Sequence, residues 1–155
     1  MKIAVISDTH NNLATAKKIV DWLNKQKIKT LLHCGDISSR ETLDEIKTTF
    51  NGEAMFVRGN ADVDMENIPE VGEFQIAGKK IAFTHFPEIA LNLAGTGDYN
   101  AVFYGHTHKP WEEKINNCRL INPGEAAGQI NKPTFAVYDI ENDKPELKIV
   151  ERLEK

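Results

Sequence analysis

The chain has 155 residues, of which 41% are hydrophobic and 27% charged, with a formal net charge of -4. That length suits one domain, 1–155, with a core that needs no disulfide, and the acidic balance argues against broad electrostatic binding of long nucleic acid. No stretch approaches the roughly 18 consecutive apolar residues of a membrane span, so no membrane partner is expected. Cys34 and Cys118 form no CxxC pair, and no secretory signal precedes them. A reduced, cytoplasmic setting is the simplest expectation.

Lys2–Ile6 reads as a short apolar strand. From Asn12 to about Gln26 an amphipathic helix is expected, because Leu13, Ala16, Val20 and Leu23 recur on one face. Asn11 or Asn12 is placed to cap it. Thr30–Cys34 reads as a strand, Arg40–Thr49 as a helix with Leu43, Ile46 and Phe50 inward, and Ala54–Val57 as a third strand. This alternation argues for a parallel α/β sheet. The second half changes character. Glu73–Ile76 and Lys80–Thr84 flank a turn at Ala77-Gly78-Lys79 and read as a hairpin. A short helix at Glu88–Leu93 and a buried strand at Ala101–Tyr104 follow. Strands are then expected at Trp111–Ile115, Cys118–Ile121, Thr134–Asp139 and Leu147–Arg152, with Asn116-Asn117 at a hairpin tip. The sum is two packed sheets with helices outside.

Five of these segments share a pattern: an apolar strand ends and a polar, metal-type side chain follows at once. After Ile6 come Ser7, Asp8, Thr9 and His10. After Cys34 come Gly35 and Asp36, and after Val57 come Arg58, Gly59 and Asn60. His85 follows Thr84, and Gly105-His106-Thr107-His108 follows Tyr104. Ligands of open α/β sheets bind at the carboxyl ends of strands, so one rim would gather all seven side chains. The spacings Asp8-x-His10 and His106-x-His108 put both members of each pair on one side of an extended segment. Carboxylates and imidazoles without thiolates suit Mn, Ni, Zn, Fe or Co, with Mn favoured. Asp36 is able to bridge two ions, and Asn60 offers a neutral carbonyl oxygen. Two divalent ions set against Asp8, Asp36 and a bridging hydroxide leave about one positive charge, a small anion trap inside an acidic protein. His33 lies within its strand and reads as a satisfied core residue.

Asp8-Thr9-His10, Gly35-Asp36, Gly59-Asn60, His85 and Gly105-His106-Thr107-His108 together resemble the five-block signature of calcineurin-like metallophosphoesterases. The chain length and Asn122-Pro123-Gly124 further resemble the small bacterial and archaeal phosphodiesterases of that superfamily. The resemblance implies a four-layer α-β-β-α sandwich of two mixed sheets. It implies one ion held by Asp8, His10, Asp36 and His108 and a second by Asp36, Asn60, His85 and His106. Asp36, Asn60 and His106 would then act in catalysis. The implied reaction is attack of a metal-bridging hydroxide on a small phosphate ester, chemistry for which a paired metal site is suited. Oligomeric state stays open, and a homo-oligomer is compatible with the sequence. A second reading comes from a retromer coat subunit that resembles this fold and serves as a protein-interaction scaffold.

Three positions depart from the pattern. Ala61 follows the motif Asn, where many relatives carry a His that protonates the leaving group; Asp62 is a weak substitute and more often stabilises a loop. Phe86 follows His85 in place of a common Gly, so either its backbone is strained or the loop has shifted and Phe86 shapes the pocket. Glu125 replaces a frequent Ser and would repel phosphate or bind through water or metal. Arg58 and Lys109 are expected either to contact phosphate or to be solvated surface charge. The stretches Asp62–Glu70 and Leu91–Asn100 read as pocket walls or as ordinary loops, and Trp111 as core, pocket wall or interface.

Overall fold

The computed structural model describes residues 1–153. Strands β1 (Lys2–Ile6), β2 (Thr30–His33) and β3 (Glu53–Phe56) are joined by helices α1 (Leu13–Lys25) and α2 (Arg40–Thr49). Next come β4 (Val71–Ile76), β5 (Lys79–Thr84), α3 (Pro87–Gly95), β6 (Ala101–Phe103), β7 (Trp111–Ile115), β8 (Cys118–Asn122), β9 (Thr134–Asp139) and β10 (Lys144–Ile149). One sheet has the order β10-β9-β1-β2-β3 and the other β4-β5-β6-β8-β7. Both are mixed: β1, β2 and β3 run parallel, as do β5, β6 and β8, while β9, β10, β4 and β7 pair antiparallel with their neighbours.

The two faces of β1 explain the layering. Ile3 and Val5 point into the space between the sheets, against Leu32, Phe83, Phe103, Ile121 and Tyr138. Ala4 and Ile6 point the other way, onto Ala16, Ile19, Val20 and Leu23 of α1. Burial on both faces is why the parallel strands are uniformly apolar. On the second sheet, Ala82, Val102 and Leu120 face outward onto Ala90 and Ala94 of α3. The result is the expected α-β-β-α stack.

Local signals act as the sequence suggested. Asn12 caps α1 by accepting from the Thr15 amide at 3.2 Å. The Ala77-Gly78 turn holds both residues at positive φ, 51° and 75°, the geometry of a tight two-residue hairpin. The last strand differs from expectation. It runs Lys144–Ile149, registered against β9 from Lys144–Asp139 to Ile149–Thr134, and Val150–Arg152 is a 3-10 turn instead. Pro145 is tolerated because β10 is an edge strand, where its missing N–H breaks no central ladder.

This topology positions the site. Parallel strands β1, β2 and β3, and likewise β5 and β6, finish on the same side of their sheets. The segments that follow them, 7–12, 34–39, 57–62, 85–86 and 104–110, therefore meet at one rim.

Candidate metal centre

The rim backbone is unusual. Asp8, His10, Asn11, Asp36, Ser38, His106 and His108 all have positive φ, between 40° and 76°. Left-handed backbone is unfavourable for residues with a Cβ, and such outliers cluster where a surrounding structure holds them for a function. Two glycines are required by close approach. A Cβ on Gly59 would collide with the Asp36 carboxylate, and one on Gly105 with the Ser7 hydroxyl.

Two groups of donors result. In the first, His10 Nε2 lies 3.5 Å from Asp8 Oδ1, 3.6 Å from Asp36 Oδ2 and 3.3 Å from His108 Nε2, and His108 Nε2 lies 3.3 Å from Asp8 Oδ1. One ligand atom from each of Asp8, His10, Asp36 and His108 lies within 4.8 Å of every other, a potential metal-binding group. In the second, His85 Nε2 is 3.0 Å from Asn60 Oδ1, 3.3 Å from Asp36 Oδ2 and 3.2 Å from His106 Nδ1, and His106 Nδ1 is 3.1 Å from Asn60 Oδ1. Asp36 Oδ2 thus contacts both groups. All seven expected side chains are at this rim.

The separations match those between ligands of a shared ion, although the shorter ones also suit hydrogen bonds. Ligand atoms about 2.1 Å from one ion stand about 3.0 Å apart in an octahedron and about 3.4 Å apart in a tetrahedron. Asp8 is fully buried, and its Oδ2 accepts from the Ser7 hydroxyl at 2.6 Å and the His106 amide at 3.3 Å. Its Oδ1 is buried with no hydrogen-bond partner among the described residues. A buried carboxylate oxygen without a donor is costly unless a cation meets it.

Surrounding groups orient the rings. His85 Nδ1 lies 2.8 Å from the Cys34 carbonyl, which only accepts, so Nδ1 donates and Nε2 keeps its lone pair for the site. His10 Nδ1 lies 3.5 Å from the Ser38 hydroxyl. His108 Nδ1 donates to Glu125. With protein charges alone, the Asp8 carboxylate beside it raises the pKa of His10 despite partial burial. Burial opposes the charge on His85, but the Asp36 carboxylate outweighs it and the net direction is also up. For Asp36 burial pushes up, and His85, His10 and the Ala61 amide push further down, so its carboxyl sits below the usual range.

His33 is different in kind. Gly35 donates its amide to Nδ1 at 3.1 Å, so Nε2 carries the proton and donates to Thr9 Oγ1, also at 3.1 Å. Complete burial drops its pKa to about 3. It is the satisfied core residue expected.

The departures from the motif resolve individually. Phe86 has φ of -93° and precedes Pro87 as the N-cap residue of α3, so it is unstrained. Its ring lies 5.3 Å from that of His85 and 6.2 Å from that of His106, forming a wall of the site. Asp62 is a loop anchor: it accepts from the amides of Asp36 at 2.9 Å, Ser38 at 2.7 Å and Gly59 at 2.8 Å. Glu125 neither faces outward to repel phosphate nor awaits a ligand, because both its oxygens are taken by His108 and by the amides of Ile130 and Asn131. Ala61 donates its amide to Asp36 Oδ1 at 2.9 Å and has no side-chain proton to give.

Peripheral expectations separate similarly. Arg58 pairs with Glu70 at 3.3 Å, whereas Lys109 is exposed. The 62–70 stretch is folded onto α2, with Met65 and Ile68 packed on Ile37 and Leu43. Trp111 is 52% exposed, so it is not core; it lines a groove of about 210 Å³ that none of the seven rim residues touches. Cys34 and Cys118 are buried free thiols. No helix among the described residues is long and apolar enough to cross a membrane.

Residues 1–143 match the model of the calcineurin-like phosphoesterase superfamily domain. The chain belongs to that superfamily. A phosphodiesterase of Methanocaldococcus jannaschii is 31% identical, over 91% of this chain and 94% of its own. A solved archaeal phosphodiesterase superposes with a TM-score of 0.87 at 28% identity, covering 96% of this chain and 99% of that one. The vacuolar sorting protein Vps29 of Entamoeba histolytica, solved in complex with Zn²⁺, superposes with a TM-score of 0.75 at 25% identity, covering 97% and 99%.

Proposed function

We propose that the chain is a single-domain, dinuclear-metal phosphoesterase, in the first place a phosphodiesterase of small substrates. The observation that supports it most is the buried, unpartnered Asp8 Oδ1, set among three further donors at ligand-to-ligand spacing. Asp8, His10, Asp36 and His108 would hold one divalent ion; Asp36, Asn60, His85 and His106 would hold the other. Mn²⁺ is the favoured ion, with Ni, Zn, Fe or Co accepted by the same donors. When bound, such a pair polarises a phosphoryl oxygen and acidifies a water.

The chain's own residues supply the rest. Asp36, fixed through its amide by Asp62 and through Oδ1 by Ala61, keeps Oδ2 between the two groups. Asn60 Oδ1 is within 3.1 Å of both His85 and His106, so it sets their spacing without adding charge. His106 and Asn60 are the exposed members, and His106 stands at the mouth with Phe86. An apolar edge beside a cationic centre suits an ester carrying an aromatic or nucleoside group. Since Ala61 offers no proton, turnover should depend steeply on the leaving group; the missing acid is typically worth about 10²–10⁴-fold.

The test is hydrolysis of aryl phosphate mono- and diesters with Mn²⁺ or Ni²⁺. Turnover of the diester, falling sharply as the leaving phenol becomes more basic, is expected. No turnover above the Asp36→Asn variant with any divalent metal would refute the proposal. The resemblance to Vps29, together with Ala61, favours a second reading, a metal-binding interaction scaffold. A stable protein partner combined with the absence of turnover would select it.

A further inference from the structure

Glu125 is a fully buried acidic residue outside the seven rim residues. Its Oε2 accepts from His108 Nδ1. Its Oε1 accepts from the amides of Ile130 at 2.5 Å and Asn131 at 2.8 Å. The Asn131 side chain closes the ring by donating to the His108 carbonyl at 3.0 Å. The residues just after Glu125 are tied to the other half of the site: Ala126 donates to the Ser7 carbonyl at 2.9 Å and Ala127 to that of Asp8 at 3.0 Å. Glu125 therefore links the Asp8 loop to His108.

The three oriented imidazoles have unequal partners. His85 donates to a neutral backbone carbonyl, and His10 has only a hydroxyl at 3.5 Å. His108 alone has a carboxylate. A carboxylate on the far ring nitrogen fixes the tautomer and raises the basicity of the ligating one. We propose that Glu125 is a positioning residue that locks His108 as the Nδ1–H tautomer and so makes the Asp8–His10–Asp36–His108 group the tighter of the two ion sites. This rests on the two-ion reading above. Only a carboxylate performs both tasks, because it accepts at both oxygens. A Gln amide accepts at one end alone, so it serves either the ring or the two amides.

Mn²⁺ titration of metal-stripped protein tests this. Wild type should show two classes of site. Glu125→Gln should weaken the tight class about 10–100-fold, as loss of such a partner typically does, and leave the loose class within about 3-fold. Asn131→Ala loosens the same loop without touching the ring N–H, and it should leave both classes intact. In parallel, ¹⁵N spectra of histidine-labelled wild type should show His108, assigned with His108→Gln, protonated on Nδ1. Two classes that Glu125→Gln leaves unmoved, or moves equally, overturn the inference alone. Equal weakening by Asn131→Ala does the same, by reducing Glu125 to loop packing. An Nε2–H tautomer in wild type overturns it even if Glu125→Gln fails to fold. Wild type that binds no Mn²⁺ overturns the two-ion reading itself.

Discussion

His33 and His85 are both shielded from water at the ends of neighbouring strand systems, and the chain treats them oppositely. Around His33 the protein supplies a donor for one nitrogen and an acceptor for the other, so the ring is neutral and complete. Around His85 it fixes one nitrogen on the Cys34 carbonyl and turns the second toward Asp36, Asn60 and His106, all residues of the rim. The pKa of one falls to about 3 and that of the other rises. Burial alone does not mark a ligand. The mark is a second nitrogen turned toward a carboxylate and other ligand-type groups.

Substitutions on each side of this contrast sharpen it. The largest effect is expected for Asp36→Asn, which weakens a donor common to both groups. It should reduce phosphodiester turnover at least about a thousand-fold, the equivalent of several kcal/mol of charge stabilisation. Next is Asp62→Asn, which removes one of two acceptor oxygens from three loop amides, two of them buried. It should lower unfolding stability by about 2–3 kcal/mol in urea titrations and weaken binding of both ions, because the Asp36 loop loses its anchor.

His33 tests the scaffold side through pH. Its folded pKa is depressed, so the unfolded chain takes up the proton first, and stability is present above about pH 6.5 and lost as pH falls toward 3. Between about pH 7.5 and 5 this group should withdraw about 2 kcal/mol from the unfolding free energy, and His33→Gln should flatten that part of the profile. The smallest effect is expected for Asn12→Ala. Loss of the α1 cap should cost about 1 kcal/mol with ion binding retained. Loss of ion affinity in that variant would show that rim and scaffold are not separable.

Much of this was legible in the sequence because it is local. Apolar runs of four to six residues marked the parallel strands, and their ends marked where Asp8, Asp36, Asn60, His85 and His106 would emerge. What was not legible depends on contacts far apart in the chain. That Asp62 stabilises a loop was readable, but not that the amides it anchors are those of Asp36 and Ser38. Glu125 reads as a charge misplaced near phosphate until His108 and the 130–131 amides enclose it. Val150–Arg152 reads as strand because Leu147, Ile149 and Val150 are apolar, and only the β9 register shows where pairing stops. The left-handed backbone at Asp8, His10 and Asp36 has no glycine to announce it.

On the proposed function, two ions share Asp36. Counting ions per chain, by elemental analysis after equilibration with Mn²⁺, tests it most directly in wild type, Asp8→Asn, Asn60→Ala and Asp36→Asn. Two ions are expected in wild type, one in each of the flanking variants and fewer than one in Asp36→Asn. A wild-type chain that saturates with a single ion, or an Asp36→Asn chain that keeps two, would contradict it.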